Sequence, residues 1–546
     1  MSPPLEFRTY SDYRIPPLQF EQERNAHSRS PGDRSLLQKW SIEDILNRFS
    51  QRPQAETKGS GDSEEALKES DLEDLEKKGD EGTLVTWDGD NDPQNPLNWS
   101  YSRKWIGTWL VSCFTFISPL ASTMVAPALD TIADDFDIES DFMRMFVMAI
   151  FLLGFAVGPF VIGPLSEVFG RVKVLQLCNL WFLVFNGLCG FARNKDEMLA
   201  FRFLSGMGGS APQAIGQGIL ADIWTKEERG LGSAIYGLMT WLGPAIGPIA
   251  GAFCTHFTTW RWVFWATSLF SIAIQALAIF FLSESYGPYL LRQKAKKLRN
   301  KTGDMSLKTE HDQKSVGQML SKALVRPFVM LFTQPAIISI SVYRAFFYGV
   351  MYLVLSTFPE VWEDEYDMEV HIASLNYLSL GIGFFIGLFL TGHLQDWLYA
   401  RLKTLYNTAE GKPEYRIPPM LLGGVLSPAG LLTYGWAVQA HTHWIVPDVG
   451  AAIFACGLIV IFQCAQNYLI DAYTTHAASA AGAAAFLRTM AGFSFPLFAD
   501  RMYDALEWGW GNTLLAGVSF VLGLPAAWAL WVFGERIRAR SKYCSG

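Results

Sequence analysis

Four ionisable side chains stand inside runs that are otherwise apolar: Arg202 in FRFLSGMGGS, Arg344 in SVYRAFFYGVMY, Arg488 in AAFLRTMAGF, and Asp471 near the close of QNYLIDAY. In a low-dielectric setting such a group must pair, hydrogen-bond or exchange a proton. An arginine near mid-bilayer costs about 2.5–3.5 kcal/mol on insertion scales, so Arg202 is expected to face the protein interior and to hold a partner there. Arg344 and Asp471 read as central or gating polar groups, with a purely structural ion pair between elements as the alternative. His393-x-x-Asp396 has the spacing of an acid/base pair. The eight histidines form no metal-ligand cluster. No Gly-x4-Gly-Lys-Ser/Thr loop occurs, which argues against a machine driven by ATP. The seven cysteines fall mostly in apolar runs and read as small buried residues. Nothing here asks for a metal, an organic cofactor or an enzyme.

The elements that must position these groups are membrane helices. From Trp105 onward, apolar runs of about twenty residues recur about every thirty residues, the length that crosses a ~30 Å hydrocarbon slab. Twelve spans are predicted, near 105–127, 143–163, 173–192, 199–221, 231–253, 262–283, 329–355, 372–392, 417–437, 444–466, 479–499 and 511–533. A polar segment, 284–328, carrying the basic stretch RQKAKKLRNK, divides them six and six. This gives a six-helix half over 105–283, a central loop over 284–328, a second half over 329–533 and a tail over 534–546. Residues 1–86 read as a disordered tail, with ten acids over 62–81 and a possible short amphipathic helix over 36–49. Residues 87–104 form a Trp-rich lead-in to the first span, and the basic stretch after span six suits an anionic leaflet.

Loop charge sets the expected orientation. Arg171 and Lys173, Lys226 and Arg229, residues 292–301, Arg401 and Lys403, and GERIRARSK at 534–542 all fall on one side. The alternating loops are acidic: Asp130 to Asp141 and Glu360 to Glu369 each hold six acids and no base. The basic side is expected to be cytoplasmic, with both termini inside. The sequons at Asn98 and Asn300 then lie inside, and no glycosylation is expected.

The stretch between spans two and three, Gly163-x-Leu165-x-Glu167-x-x-Gly170-Arg171-x-Lys173, resembles the loop signature of the major facilitator superfamily. Arg202 with Gly206 and Gly208 resembles its span-four signature. GLMTWLGPAIGPIAG at 237–251, with Gly237, Gly243, Pro244, Gly247, Pro248 and Gly251, resembles the span-five signature that marks antiporters. With WDGDNDPQNPLNWSYSRKW, SESYGPYLLRQKAKKLR and GKPEYRIPPM, the chain is similar to the fungal twelve-span drug:proton antiporter group over about 87–541.

The resemblance implies an all-α membrane protein of the major facilitator fold, with twelve transmembrane helices in two six-helix halves. It implies that Glu167 and Arg171 join a charge network across the two halves, echoed by Asp396 and Arg401, and that Arg202 serves proton coupling. It implies proton-driven export of small amphipathic compounds, with a polyamine or nutrient carrier as the alternative. The proton gradient stands in place of a cofactor, and the partners are a small molecule, protons and the lipid bilayer, with no nucleic acid. A monomer in the plasma membrane is expected, with the vacuolar membrane as the alternative. A cavity for such cargo combines aromatic groups with few polar ones. Arg344, Tyr348 and Tyr352 in span seven, Gln466, Asn467, Tyr468 and Asp471 in span ten, and Phe493 in span eleven are the residues expected there.

Overall fold

The computed structural model describes residues 84–541, except 90, 226–227, 304–305, 310–315, 407–410, 474–476 and 540. The expected disordered tail, apart from residues 84–86, and the helix over 36–49 lie outside the described residues, as do Lys226 and Cys544.

A backbone in hydrocarbon satisfies its own polar groups, and long apolar runs therefore fold as helices. Among the described residues twelve long helical units follow one another: α1 (Tyr101–Thr123), α2 (Asp141–Phe169), α3 (Arg171–Cys189), α4 in two pieces (Lys195–Gly209 and Ala211–Ile223), α5 (Arg229–Phe257), α6 (Arg261–Phe281), α7 (Pro335–Glu360), α8 (Tyr377–Leu405), α9 (Pro418–Gln439), α10 (Ile445–Ala472), α11 (Ala477–Ser494) and α12 (Ala499–Ala539). Ten stretches among the described residues are long and apolar enough to cross a membrane. The difference from twelve has two causes. One stretch, 479–539, holds both α11 and α12. α4 is interrupted at Ser210, ahead of Pro212, which has no N–H to continue the ladder. α12 is likewise broken at Glu507, at φ 56° and ψ 173°.

The packing repeats between halves. In the first half α1 packs on α5, α2 on α4, and α3 on α4 and α6; in the second, α7 packs on α11, α8 on α10, and α9 on α10 and α12. The halves meet along two matching seams, α2 with α11 and α5 with α8. This places every helix of the second half six positions after its counterpart. One end of the bundle gathers the α2–α3 turn and the basic segments; the other gathers the acidic loops.

The central segment is more structured than a loop. Gly287–Thr302 and Val316–Thr333 are both helices, and α7 starts only at Pro335 rather than at 329. A proline at the first helical position starts a helix well, since its missing N–H has no role there. The lead-in folds onto the first of these helices. The Asp92 carboxylate accepts the N–H groups of Asp88 at 3.0 Å and Gln94 at 2.8 Å. Lys294 reaches Asp88 at 2.6 Å and Asp92 at 3.5 Å, and Val85 donates to the Lys308 carbonyl at 2.9 Å.

Candidate functional site

The two halves enclose a small central cavity between α1, α2, α4 and α5 on one side and α7 and α11 on the other. Its walls include Ser118, Ser122, Phe151, Phe155, Gln213, Thr240, Trp241, Tyr348, Tyr352 and Arg488. About 20 Å³ is open to the centre of a water-sized sphere, room for about one water. The conformation is therefore one in which the centre is contracted. Ser122 and Tyr352 join hydroxyls across the seam at 3.0 Å. Trp241 reaches over to Phe384 and Phe462, with ring centroids 5.6 and 5.4 Å away.

Of the residues expected here, Tyr348 and Tyr352 line the cavity. Arg344 lies one turn beyond Tyr348, 4 % exposed, donating to Gln466 at 2.8 Å with its guanidinium 5.2 Å from the Phe462 ring centre. Asn467 points to α8 instead, donating to Gln395 at 2.7 Å. Tyr468 is buried. Phe493 packs edge-on against Phe146 of the other half at 5.8 Å. Asp471 is a correction. It sits at the basic end of α10 in an ion pair with Arg416 at 3.0 Å, because α10 runs on to Ala472 and carries it out of the centre. Arg488, which sequence reasoning noted and left out of this set, is the charged side chain of the cavity wall.

Arg202 is fully buried, yet among the described residues no carboxylate pairs with it. Its guanidinium donates to three backbone carbonyls, Ala121 at 3.1 Å, Val147 at 3.3 Å and Met148 at 3.2 Å, and lies 4.9 Å from the Phe151 ring centre. It binds α4 to the end of α1 and to α2. The partner expected for Arg202 is therefore backbone, close to the last turn of α1, where carbonyls lack intrahelical donors.

At the basic end the expected charge network takes a different form. Gly163 and Glu167 lie within α2, and the turn between α2 and α3 is a single residue, Gly170. Its φ of 97° requires glycine, and a Cβ there would come within 2.4 Å of the Glu284 carboxylate. Glu167 is exposed, and among the described residues its carboxylate makes no ion pair. Arg171 pairs with Asp222, at the end of α4, at 3.3 Å and lies over the Tyr286 ring. Glu284 accepts the backbone N–H groups of Arg171 at 2.9 Å and Val172 at 3.2 Å, a carboxylate at a helix N-terminus. Lys173 donates to Tyr289 at 2.7 Å. All these ties stay within the first half and the segment that follows it. The expected network between Glu167, Arg171 and the second half is absent among the described residues, because Asp222 and Glu284 lie closer.

The echo in the second half is also relocated. Asp396 pairs with Arg416 at 3.3 Å, whereas Arg401 lies over Trp397 at 5.5 Å. His393 hydrogen-bonds the Phe389 carbonyl at 3.1 Å and forms no pair with Asp396. Arg416, just before α9, joins Asp396 and Asp471; it corresponds to Arg171 at the start of α3, and Asp471 to Asp222. Glu414 accepts two bonds from Arg538, at 2.8 and 2.9 Å, beyond the membrane stretch of α12.

The cross-half ion network lies at the opposite end. Arg144, in the first turn of α2, holds Asp130 at 2.5 Å in its own half, and Glu360 of α7 at 3.0 Å and Asp500 of α12 at 3.1 Å in the other. Sequence reasoning passed over it. The signal was a lone arginine one turn inside a span, directly after a loop of six acids. At the basic end the seam is closed by rings: Phe160 of α2 stacks on Phe328 at 4.9 Å and meets Phe486 of α11 at 5.4 Å.

The span-five stripe is a packing surface. A Cβ on Gly251 would lie 2.0 Å from the Met124 carbonyl, and Gly243 and Gly247 also lie against α1. Pro244 faces the cavity and Pro248 is buried, while Gly237 faces open space and takes no part in the close approach.

A repeated six-helix bundle with its cavity on the seam and this stripe on α5 matches a known family. Residues 111–496 match the sequence model of the Major Facilitator Superfamily. The chain belongs to that superfamily. It is 45 % identical over 463 residues to the efflux pump vrtL of Penicillium aethiopicum, covering 85 % of this chain and 92 % of that one. It is 39 % identical to the efflux pump radE of Floropilus chiversii, covering 84 % and 86 %. Among solved structures, a partially occluded inward-open conformation of the xylose transporter XylE from E. coli shares the fold, with a TM-score of 0.57 at 17 % identity, covering 79 % of this chain and 98 % of that one. As a superfamily member the chain is a multi-pass membrane protein of a transporter family, with the major facilitator fold expected from its motifs.

Proposed function

We propose that this protein is a proton-coupled efflux transporter for small amphipathic compounds such as drugs, fungicides, toxins or a secondary metabolite. It acts in the plasma membrane, as a monomer, with both termini cytoplasmic. The observation that carries the reading is the 45 % identity to an efflux pump across 85 % of the chain. The central aromatic cavity on the seam supports it, since alternating access exposes such a site by rocking one half on the other. A polyamine carrier is disfavoured: no Asp or Glu stands among the cavity-wall residues.

In this reading Arg144 with Glu360 and Asp500 seals the outer end, and Phe160, Phe328 and Phe486 seal the inner end. A proton on one of the outer carboxylates removes a cross-half attraction, so this network ties the facing equilibrium to external pH. The test uses the purified chain in liposomes under an imposed pH gradient. Fluorescent-substrate flux that rises with the gradient and stops on its collapse supports the reading. Flux indifferent to both overturns the coupling.

A further inference from the structure

Resting on the efflux reading, we infer that the cargo is an aromatic compound bearing a negative charge, and that Arg488 with Arg344 receives that charge. Arg488 is 7 % exposed and Arg344 4 % exposed. Among the described residues neither has a carboxylate within ion-pair distance. Arg344 has one hydrogen bond, to Gln466, and its Nε is unpartnered. Among the described residues Arg488 has none; its buried Nε is also unpartnered, and its guanidinium rests 4.7 Å from the Tyr348 ring centre. Both border one turn of α7: Arg344 stands one turn before Tyr348, the ring on which Arg488 rests.

Two like charges held in a dry bundle without a counter-ion are unfavourable unless an anion joins them in some state of the cycle. Contrast Arg202, whose guanidinium is satisfied by three carbonyls. The fork of Arg488 lines the cavity that changes size as the halves rock, and it stands beside Tyr348 and Tyr352. A planar guanidinium matches a carboxylate, enolate or phenolate oxygen in charge-assisted hydrogen bonds. Tyr348, Tyr352, Trp241 and Phe155 supply ring faces for the apolar body. A cationic compound would meet two positive charges and no acid.

The test is equilibrium binding to the full chain in nanodiscs, apart from any transport. Matched aromatic acids and amines, 2-naphthoate and 2-anthroate against 2-naphthylmethylamine and 2-anthrylmethylamine, are titrated at neutral pH by quenching of tryptophan fluorescence, in gluconate buffer. The acids are expected to bind and the amines not. Arg488→Gln is expected to weaken acid binding by about thirtyfold, Arg488→Lys, which keeps the charge but not the fork, to restore part of it, and Arg344→Gln to weaken it by a smaller factor. Without ligand, Arg488→Gln is expected to melt no lower than wild type, since it removes an unpaired buried charge. Amine binding equal to or tighter than acid binding overturns the inference. So does failure of both acids to bind, or acid binding untouched by Arg488→Gln. Displacement of the acids by millimolar chloride would mark a halide site and also overturn it. Acids that bind but are not transported would leave the anion site standing and count against the efflux reading.

Discussion

Arg144→Gln removes the one side chain that, among the described residues, ties Glu360 and Asp500 to the first half. Its two cross-half contacts are 3.0 and 3.1 Å long. Hydrogen bonds to charged groups contribute about 1.5–3 kcal/mol each. The carboxylate partners are 25 % and 12 % exposed, so solvent screening is taken to remove about half of that sum. The seam at the acidic end is then favoured by about 1.5–3 kcal/mol, a bias of about tenfold to 150-fold in the facing equilibrium. Spin labels on Glu139→Cys and Asp504→Cys, both exposed positions of opposite halves, report the separation at this end once the native cysteines are replaced. Arg144→Gln is expected to move most of the population to a longer distance. Asp130→Asn is the control: Asp130 is 68 % exposed and belongs to the same half as Arg144, so the distribution is expected to stay near wild type. A wild-type distance distribution in Arg144→Gln would refute the view that this network holds the end shut.

Further outcomes follow from other contacts. Gly251→Ala forces a methyl to within 2.0 Å of the Met124 carbonyl and is expected to cost about 1–3 kcal/mol, while Gly237→Ala, facing open space, is expected to stay within about 0.5 kcal/mol; thermal unfolding compares them. Arg202→Lys keeps the charge but replaces a flat fork spanning three carbonyls with a point donor, and is expected to lower the unfolding midpoint; wild-type stability and export in Arg202→Lys would remove the three-carbonyl geometry from the argument. The N–H groups of Asp88 and Gln94 hold the Asp92 carboxyl below its ordinary value. Its folded pKa being depressed, its contribution is present above the unfolded value of about 3.9 and is lost as pH falls through the folded value. Protease protection of the lead-in is therefore expected to fall in acid, with Asp92→Asn less protected than wild type near neutrality and less sensitive to the change.

The spans were legible because lipid leaves a backbone so few options: twenty apolar residues must be helix. The Gly170 turn and the Gly243 to Gly251 stripe were legible for the same kind of reason, since each names a backbone need that other residues fail. Ion partners were not. Arg416 is 55 residues from Asp471, and Arg144 is 216 from Glu360. A local echo of the loop signature pointed to Arg401, which lies over Trp397 on its own helix. The true counterpart of Arg171 had to be found by its place at the entry to the third helix of its half. Asp471 misled because it stands only four residues after Asn467 in one apolar stretch, yet α10 runs on to Ala472 and leaves the carboxylate in its last turn, beside Arg416 at the basic end.

The placement of charge bears on which contacts are able to gate. A bond whose two ends lie in one half is unchanged when the halves rock, so it contributes equally to every facing state and shifts no equilibrium. Arg171 with Asp222, Arg416 with Asp471, and Glu414 with Arg538 are of this kind. They also share a logic across the repeat. Glu284, after α6, accepts backbone N–H groups at the start of α3, while Arg538, late in α12, pairs with Glu414 in the short turn ahead of α9, so in each half the end of the sixth helix anchors the entry to the third. Such ties keep each half rigid enough to move as a body. Arg144 differs, because its partners Glu360 and Asp500 stand in the other half, so opening the acidic end would part them. Opening the basic end separates Phe160 from Phe328 and Phe486 and exposes rings instead. One gate therefore responds to protons and salt, the other to apolar burial.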